Sequence, residues 1–246
     1  MIVAAHQPAY LPWLGYLDKM AKCDVFVVMD DLPFEPRNFQ NRNRIAHERG
    51  PAWLTVPVHD TGERIVDKLV DNSPRGEDHW QHRTWRTLVS SYRHAPYFNR
   101  YVDDLRFVFM QPWRRLVDLD IYMLDLARRW LKIQVPIVRS STLDLVGDDV
   151  TDRLIQVCKK VGARAYLSGS GNATKTLDAE RIGRAGLGVI WQVFDHPTYP
   201  QACGDGSGSF TSNLGFVDLL FNCGPASRET LFGRGHPIHC SGRVAA

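Results

Sequence analysis

Three polar clusters in this chain carry residue types that can do chemistry. The first is His6-Gln7-Pro8, with Tyr10, Trp13 and Tyr16 close behind. Imidazole titrates near neutral pH, so His6 is a candidate to take a proton as general base, or to hydrogen-bond a phosphate or carbonyl. The second is Asp30-Asp31 followed by Arg37 to Arg44, a stretch that packs three arginines and three asparagines into eight residues. Guanidinium forks suit phosphate or carboxylate, so Arg37, Arg42 and Arg44 are candidates to hold such a group. Asn41 and Asn43 offer both donor and acceptor to sugar hydroxyls or a carbonyl. The third comprises Ser168-Gly169-Ser170-Gly171 and Asp195-His196-Pro197-Thr198-Tyr199. Glycines let backbone N–H groups approach an anion. This loop lacks the Lys-Ser/Thr ending of a P-loop and does not match a dinucleotide fingerprint.

Each cluster has a plainer use. A histidine beside proline can be satisfied by backbone in a turn, which applies to His196 as much as to His6. Adjacent strand residues point to opposite faces, so only one of Asp30 and Asp31 is expected to reach a cleft. The other is expected to cap the next turn. We take Asp31 as the candidate for a sugar hydroxyl, an amine or Mg²⁺; a metal pair needs further carboxylates, and no metal site is expected. The Arg/Asn stretch has the plain alternative of a solvated loop.

These clusters need a frame. Ile2-Val3-Ala4-Ala5 and Val25-Phe26-Val27-Val28 are short apolar runs ahead of polar turns, the pattern of buried parallel strands. In open α/β sheets, ligands sit beyond the carboxyl ends of such strands. Further strands are expected at 135–138, 164–167 and 188–194, and helices at 148–161, closed by Gly162, and 177–184. Residues 52–58 and 65–70 read as a hairpin at the sheet edge, because Pro57 cannot donate to a central ladder. Residues 77–131 read as a helical block with three-to-four spacing of apolar positions. The expected fold is a single α/β domain over residues 1–246, a mostly parallel Rossmann-like sheet with block 77–131 inserted between its two halves.

Bulk composition narrows the class. A chain of 246 residues with 44% hydrophobic and 23% charged residues can bury a sizeable core. A net charge of +3 is too small to point to nucleic acid by itself. The basic, aromatic stretch 79–115 nevertheless leaves a tRNA contact open. Five scattered cysteines without a CxxC pair read as reduced thiols. With no leader-like start and no long apolar run, the expectation is a cytoplasmic protein without a membrane span.

Several blocks together resemble the WbqC-like family. They are His6 to Tyr16, Ala21 to Val27, Asp30-Asp31, Gln40 to Arg44, Tyr166-Leu167-Ser168-Gly169 and Asp218 to Pro225. The resemblance spans nearly the whole chain. It implies a place in surface-polysaccharide or specialised-metabolite biosynthesis and a role in decorating amino sugars or similar amines. A fainter similarity is to the nucleotidyltransferase superfamily that includes class I aminoacyl-tRNA synthetases. In that superfamily a His-rich motif after the first strand stabilises ATP phosphates. Here Tyr16 stands where the second histidine would be, and it cannot carry that histidine's charge.

The leading expectation is a transferase that forms an amide on an amine from an activated acyl or aminoacyl donor. Catalytic candidates are His6, His196, Tyr16 and Asp31. Substrate-binding candidates are Gln7, Tyr10, Trp13, Arg37, Asn41, Arg42, Asn43, Arg44, Ser168, Gly169, Ser170 and Tyr199. The donor stays open among ATP-derived adenylates, acyl-CoA, acyl-phosphate and aminoacyl-tRNA; the acceptor is a small amine or a nucleotide-sugar. The alternatives are an ATP-dependent ligase or nucleotidyltransferase-like enzyme, and a non-catalytic nucleotide-sugar binding protein. The arrangement has one geometric requirement: His6 and the Arg37–Arg44 stretch must line one cavity.

Overall fold

The structure, a computed structural model, describes residues 1–60, 62–76, 78–169, 171, 176–202 and 210–233. Strands β1 (Ile2–His6), β2 (Val25–Val28), β5 (Ile137–Arg139), β6 (Ala165–Ser168) and β7 (Gly188–Trp191) form one sheet in the order β5-β2-β1-β6-β7. Every pairing in it is parallel. The protein therefore has the Rossmann-like α/β fold that its apolar runs indicate. Alternation along the strands divides the core in two. Ala4, Phe26, Val28 and Leu167 face the larger cluster, which includes the helical block. Val3, Ala5, Val27 and Tyr166 face a smaller one, closed by Leu154, Val157 and Cys158 of helix α5 (Val150–Val161).

Helix α1 (Leu14–Ala21) connects β1 to β2. Helices α2 (Trp80–Tyr92), α3 (Phe98–Phe109) and α4 (Leu116–Leu131) lie in the chain between β2 and β5, which are neighbours in the sheet. The block thus enters on the β2 side of β1, ahead of the crossover to β6. Helix α6 (Ala179–Arg184) lies between β6 and β7, and past the sheet come α7 (Val217–Cys223) and α8 (Ser227–Phe232). Among the described residues no helix is long and apolar enough to cross a membrane.

The expected edge hairpin is corrected. Its partners are β3 (Arg42–Ile45) and β4 (Ala52–Thr55), which form a separate two-stranded antiparallel sheet. Ile65–Asp67 is a 3₁₀ turn, and Val58 meets Val70 only as an isolated bridge. The sequence of β3 looks like a polar loop because its inward position Asn43 is itself polar. Asn43 and Ile45 are fully buried, while Arg42 and Arg44 lie half-buried between them. Asn43 Nδ2 donates to the carbonyls of Leu11 (2.6 Å) and Tyr10 (3.2 Å), so a side-chain amide replaces the apolar residue expected there. It holds a turn in which Leu11 has φ of 47°, a costly conformation for leucine.

The two aspartates lie in the turn after β2, and both reach the Ser140 hydroxyl. Asp30 is fully buried and accepts from Arg139 Nε (2.6 Å), Ser141 N (2.9 Å), and the hydroxyls of Ser141 (2.9 Å) and Ser140 (3.2 Å). It pins the end of β2 to the end of β5. Replacing Asp30 with Ala strips buried donors of their acceptor. We expect Asp30→Ala to lower unfolding free energy by about 3 kcal/mol, measured by urea denaturation. A loss under about 0.5 kcal/mol, the size of an ordinary surface substitution, would show that this clamp contributes nothing.

Candidate active site

β2 flanks one side of β1 and β6 the other, so the connections leaving β1 and β6 part there, at the switch point where α/β sheets form crevices. A cavity of about 690 Å³ opens at that place. Its lining comes from the carboxyl ends of β1, β6 and β7, from the segment after β2, and from α1 and α5.

His6 is the last residue of β1, with its ring open to the cavity. The ring centroid lies 4.7 Å from that of Tyr16. Nδ1 is 3.1 Å from the Gln7 carbonyl oxygen. A carbonyl only accepts, so the neutral ring carries its proton on Nδ1 and leaves the Nε2 lone pair available. Although its side chain keeps an exposed surface toward the cavity mouth, the protein packed around the ring, and then the charge of Lys19, lower the His6 pKa to about 4. At neutral pH His6 is an uncharged acceptor.

Lys19 is a candidate site residue that the sequence reading does not single out. It sits one helical turn after Tyr16 on α1, only 4% exposed, with Nζ donating to the Ala5 carbonyl at 2.9 Å. The ammonium lies 5.5 Å from the Tyr166 ring centroid. Among the described residues no carboxylate lies within ion-pair distance of Lys19; the neighbouring Asp18 is taken by Lys22 (2.8 Å) and by Gln192 Nε2 (2.8 Å). Burial lowers the Lys19 pKa to about 8. An ammonium enclosed without a counter-ion beside a cavity is an anion-binding group. The readable signal is its spacing: Tyr16 and Lys19, three apart on a helix, share a face.

The walls are fixed from behind. Gln192 Nε2 also donates to the Gly15 carbonyl (2.9 Å), tying the end of β7 to the start of α1. Arg153 reaches the cavity from α5, donating to Gly147 O at 2.9 Å and pairing with Asp31, which also accepts from the Ser140 hydroxyl. Asp31 thus holds Arg153 from outside the cavity lining. Ser168, Gly169 and Gly171 form the lip after β6, with Ser168 fully buried. Trp13 closes one side, edge-on to Phe194 at 5.6 Å. Its indole lies over Gly15 so closely that a Cβ there would fall 2.2 Å from a ring carbon.

Of the residues singled out from sequence, the cavity collects His6, Gln7, Trp13, Tyr16, Ser168 and Gly169. Ser170 lies outside the described residues. The required union of His6 with the Arg/Asn stretch is not found: no residue from 37 to 44 lines the cavity. Gln40 reaches the segment after β1, its Nε2 donating to Gln7 Oε1 at 3.0 Å. Asn41 Nδ2 donates to Val56 O at 2.8 Å, Arg42 stacks on Trp53 at 4.2 Å with Arg44 at 5.8 Å, and Arg37 is exposed. Tyr10 is fully buried in the core and has no hydrogen-bond partner for its hydroxyl.

His196 also lies off the cavity. Its Nδ1 meets Pro197 O at 2.9 Å and its Nε2 accepts from Asn213 N at 3.2 Å, so both nitrogens are engaged in holding a turn. Tyr199 donates to Asp218 at 2.8 Å, in a buried network with Tyr92 (2.8 Å) and Gln201 (2.7 Å). Among the described residues no group of three or more His, Cys, Asp or Glu is placed to hold a metal ion.

A profile of the WbqC-like protein family matches residues 7–230, a span that runs from the cavity's first strand end to the last helix. The chain belongs to the WbqC-like family. It is 31% identical over 234 residues to a protein of Mycobacterium tuberculosis (strain ATCC 25618 / H37Rv) named "Uncharacterized protein Rv1507c", covering 93% of this chain and 96% of that one. No solved structure matches significantly. For this WbqC-like protein, the cavity is therefore the point from which chemistry must be argued.

Two outcomes follow from the geometry. In Gly15→Ala the Trp13 indole must leave its place, so ligand affinity changes while the sheet stays intact; tryptophan emission and ligand titration check this, and an unmoved indole contradicts it. The second concerns pH. His6 has a folded pKa near 4 against the ordinary 6.5, so the stability it contributes is full above 6.5 and is lost as pH falls through about 4. We expect the urea midpoint of wild type to fall more steeply than that of His6→Gln between those limits; parallel curves would contradict the shift.

Proposed function

We propose that this protein is a transferase that forms an amide on an amine, such as an amino sugar, from an activated acyl or aminoacyl donor. Membership in the WbqC-like family fits a place in surface-glycan or specialised-metabolite biosynthesis. The observation that carries the reading is the pairing of an unprotonated histidine with a buried, carboxylate-free lysine at one cavity.

The two groups divide the work. Lys19, cationic below about 8, attracts the donor's phosphate, carboxylate or developing oxyanion. Attack of the amine on the donor carbonyl gives a tetrahedral adduct whose N–H⁺ is far more acidic than a free ammonium. His6 Nε2 is free to take that proton, even with a depressed pKa. The oxyanion then re-forms the carbonyl, and the leaving group departs with the electron pair of its bond to the carbonyl carbon. Trp13 and Phe194 supply apolar wall, and Arg153, held by Asp31, adds a second cation. None of the described cysteines lines the cavity, so direct transfer within a ternary complex is the simpler route.

The test is incubation with candidate donors (acyl-CoA, acyl-phosphate, aminoacyl-tRNA, or ATP with a carboxylate) and an amino-sugar nucleotide, reading amide product by mass. We expect His6→Ala to lower kcat by about 10²–10⁴-fold, and Lys19→Met to raise the donor KM. Activity that depends on Lys19 should fall as pH rises through about 8, where its charge is lost. Product yields unchanged in both variants sink the proposal.

One observation favours a second reading. His6 at the end of a central parallel strand with Lys19 beside it is also a cation pair for nucleotide phosphates, once an anion raises the histidine pKa. An ATP-using ligase of that kind releases pyrophosphate in step with product; acyl-CoA or aminoacyl-tRNA turnover without ATP does not. Tight nucleotide-sugar binding with no product from any donor would instead favour a non-catalytic binding protein.

A further inference from the structure

A second cavity of about 530 Å³ lies away from the strand ends and shares no lining residue with the first. It forms where α3, the end of α4 and the start of α8 meet. Arg100, Arg129, Lys132 and Arg228 face it, with Tyr101 and Trp130. Among the described residues no carboxylate lines it.

Four cations around one hollow repel each other, so the question is what offsets them. Arg228 is accounted for: Nη1 donates to the carbonyls of Leu131 (2.7 Å) and Lys132 (3.1 Å), capping the C-terminus of α4. Arg129 approaches Asp104 only to 3.9 Å, with both side chains at least half exposed, a contact of little energetic weight. Arg100 and Lys132 have no carboxylate within ion-pair distance among the described residues. Lys132 adopts a left-handed φ of 54° where α4 ends, so its side chain leaves the helix at this cavity. The Tyr101 and Trp130 rings, 5.0 Å apart, form an aromatic wall.

We propose that this cavity binds a phosphate-bearing small molecule, at a site independent of the strand-end cavity. A phosphate monoester or diphosphate carries the multiple negative charge and the acceptor oxygens that two guanidinium forks and an ammonium can meet together. The volume exceeds what a phosphate alone needs, leaving room for an attached group beside Trp130.

Calorimetry with inorganic pyrophosphate tests this in a Lys19→Met background, which leaves the first cavity only Arg153, already paired with Asp31. We expect one saturable site that weakens with added salt. Adding Arg100→Gln and Lys132→Met, both at exposed positions, should weaken it on the order of tenfold or more. Uridine diphosphate binding more tightly than pyrophosphate would support a seated organic group as well. No saturable binding in Lys19→Met, or binding that survives loss of both cations, overturns the proposal. So does binding of an RNA oligomer that pyrophosphate fails to displace. Because the background lacks Lys19, this outcome is separate from success or failure of the amide-transfer reading.

Discussion

β1 is hydrogen-bonded along both edges and covered on both faces. Its residues 2–5 are nearly water-free, and its register with β2 and β6 fixes where it stops. A strand so constrained has one direction in which to offer a side chain, past its carboxyl end, and His6 is that side chain. The same carbonyl row that ends there holds Lys19 through Ala5. Position, tautomer and charge of the candidate catalytic pair thus derive from a strand that cannot shift.

Much of this frame is legible in sequence. Four-residue apolar runs ahead of polar turns mark β1 and β2 because a parallel strand buried on both faces has no polar side to show. Gly162 marks the end of α5, where φ is 71°. What stays hidden has a physical cause. β3 looks like a loop since Asn43 is buried by virtue of its hydrogen bonds, and a one-dimensional reading registers polarity but not satisfaction.

The site was partly legible for the same reason. His6 and His196 look alike in sequence, each within two residues of a proline after an apolar run, yet among the described residues both ring nitrogens of His196 have partners and His6 has one only at Nδ1. That difference depends on where Asn213 N lies, seventeen residues away from His196. The density of arginine and asparagine in residues 37–44 reads as a ligand site, but Gln40, Asn41, Arg42 and Asn43 secure the hairpin and its approach to β1. Lys19 gives no signal in sequence because a lysine in an amphipathic helix is ordinarily solvated; here it packs against β1 and Tyr166.

The indole resting on position 15 has a wider meaning. Elsewhere a binding wall is adjusted in small steps, leucine to isoleucine to valine, each moving the boundary by a methyl group. Here the boundary sits on a bare backbone, and the smallest possible change ejects it altogether. Variation in substrate shape along this side should therefore arise in lineages by jumps, with residues 13 and 15 exchanging together.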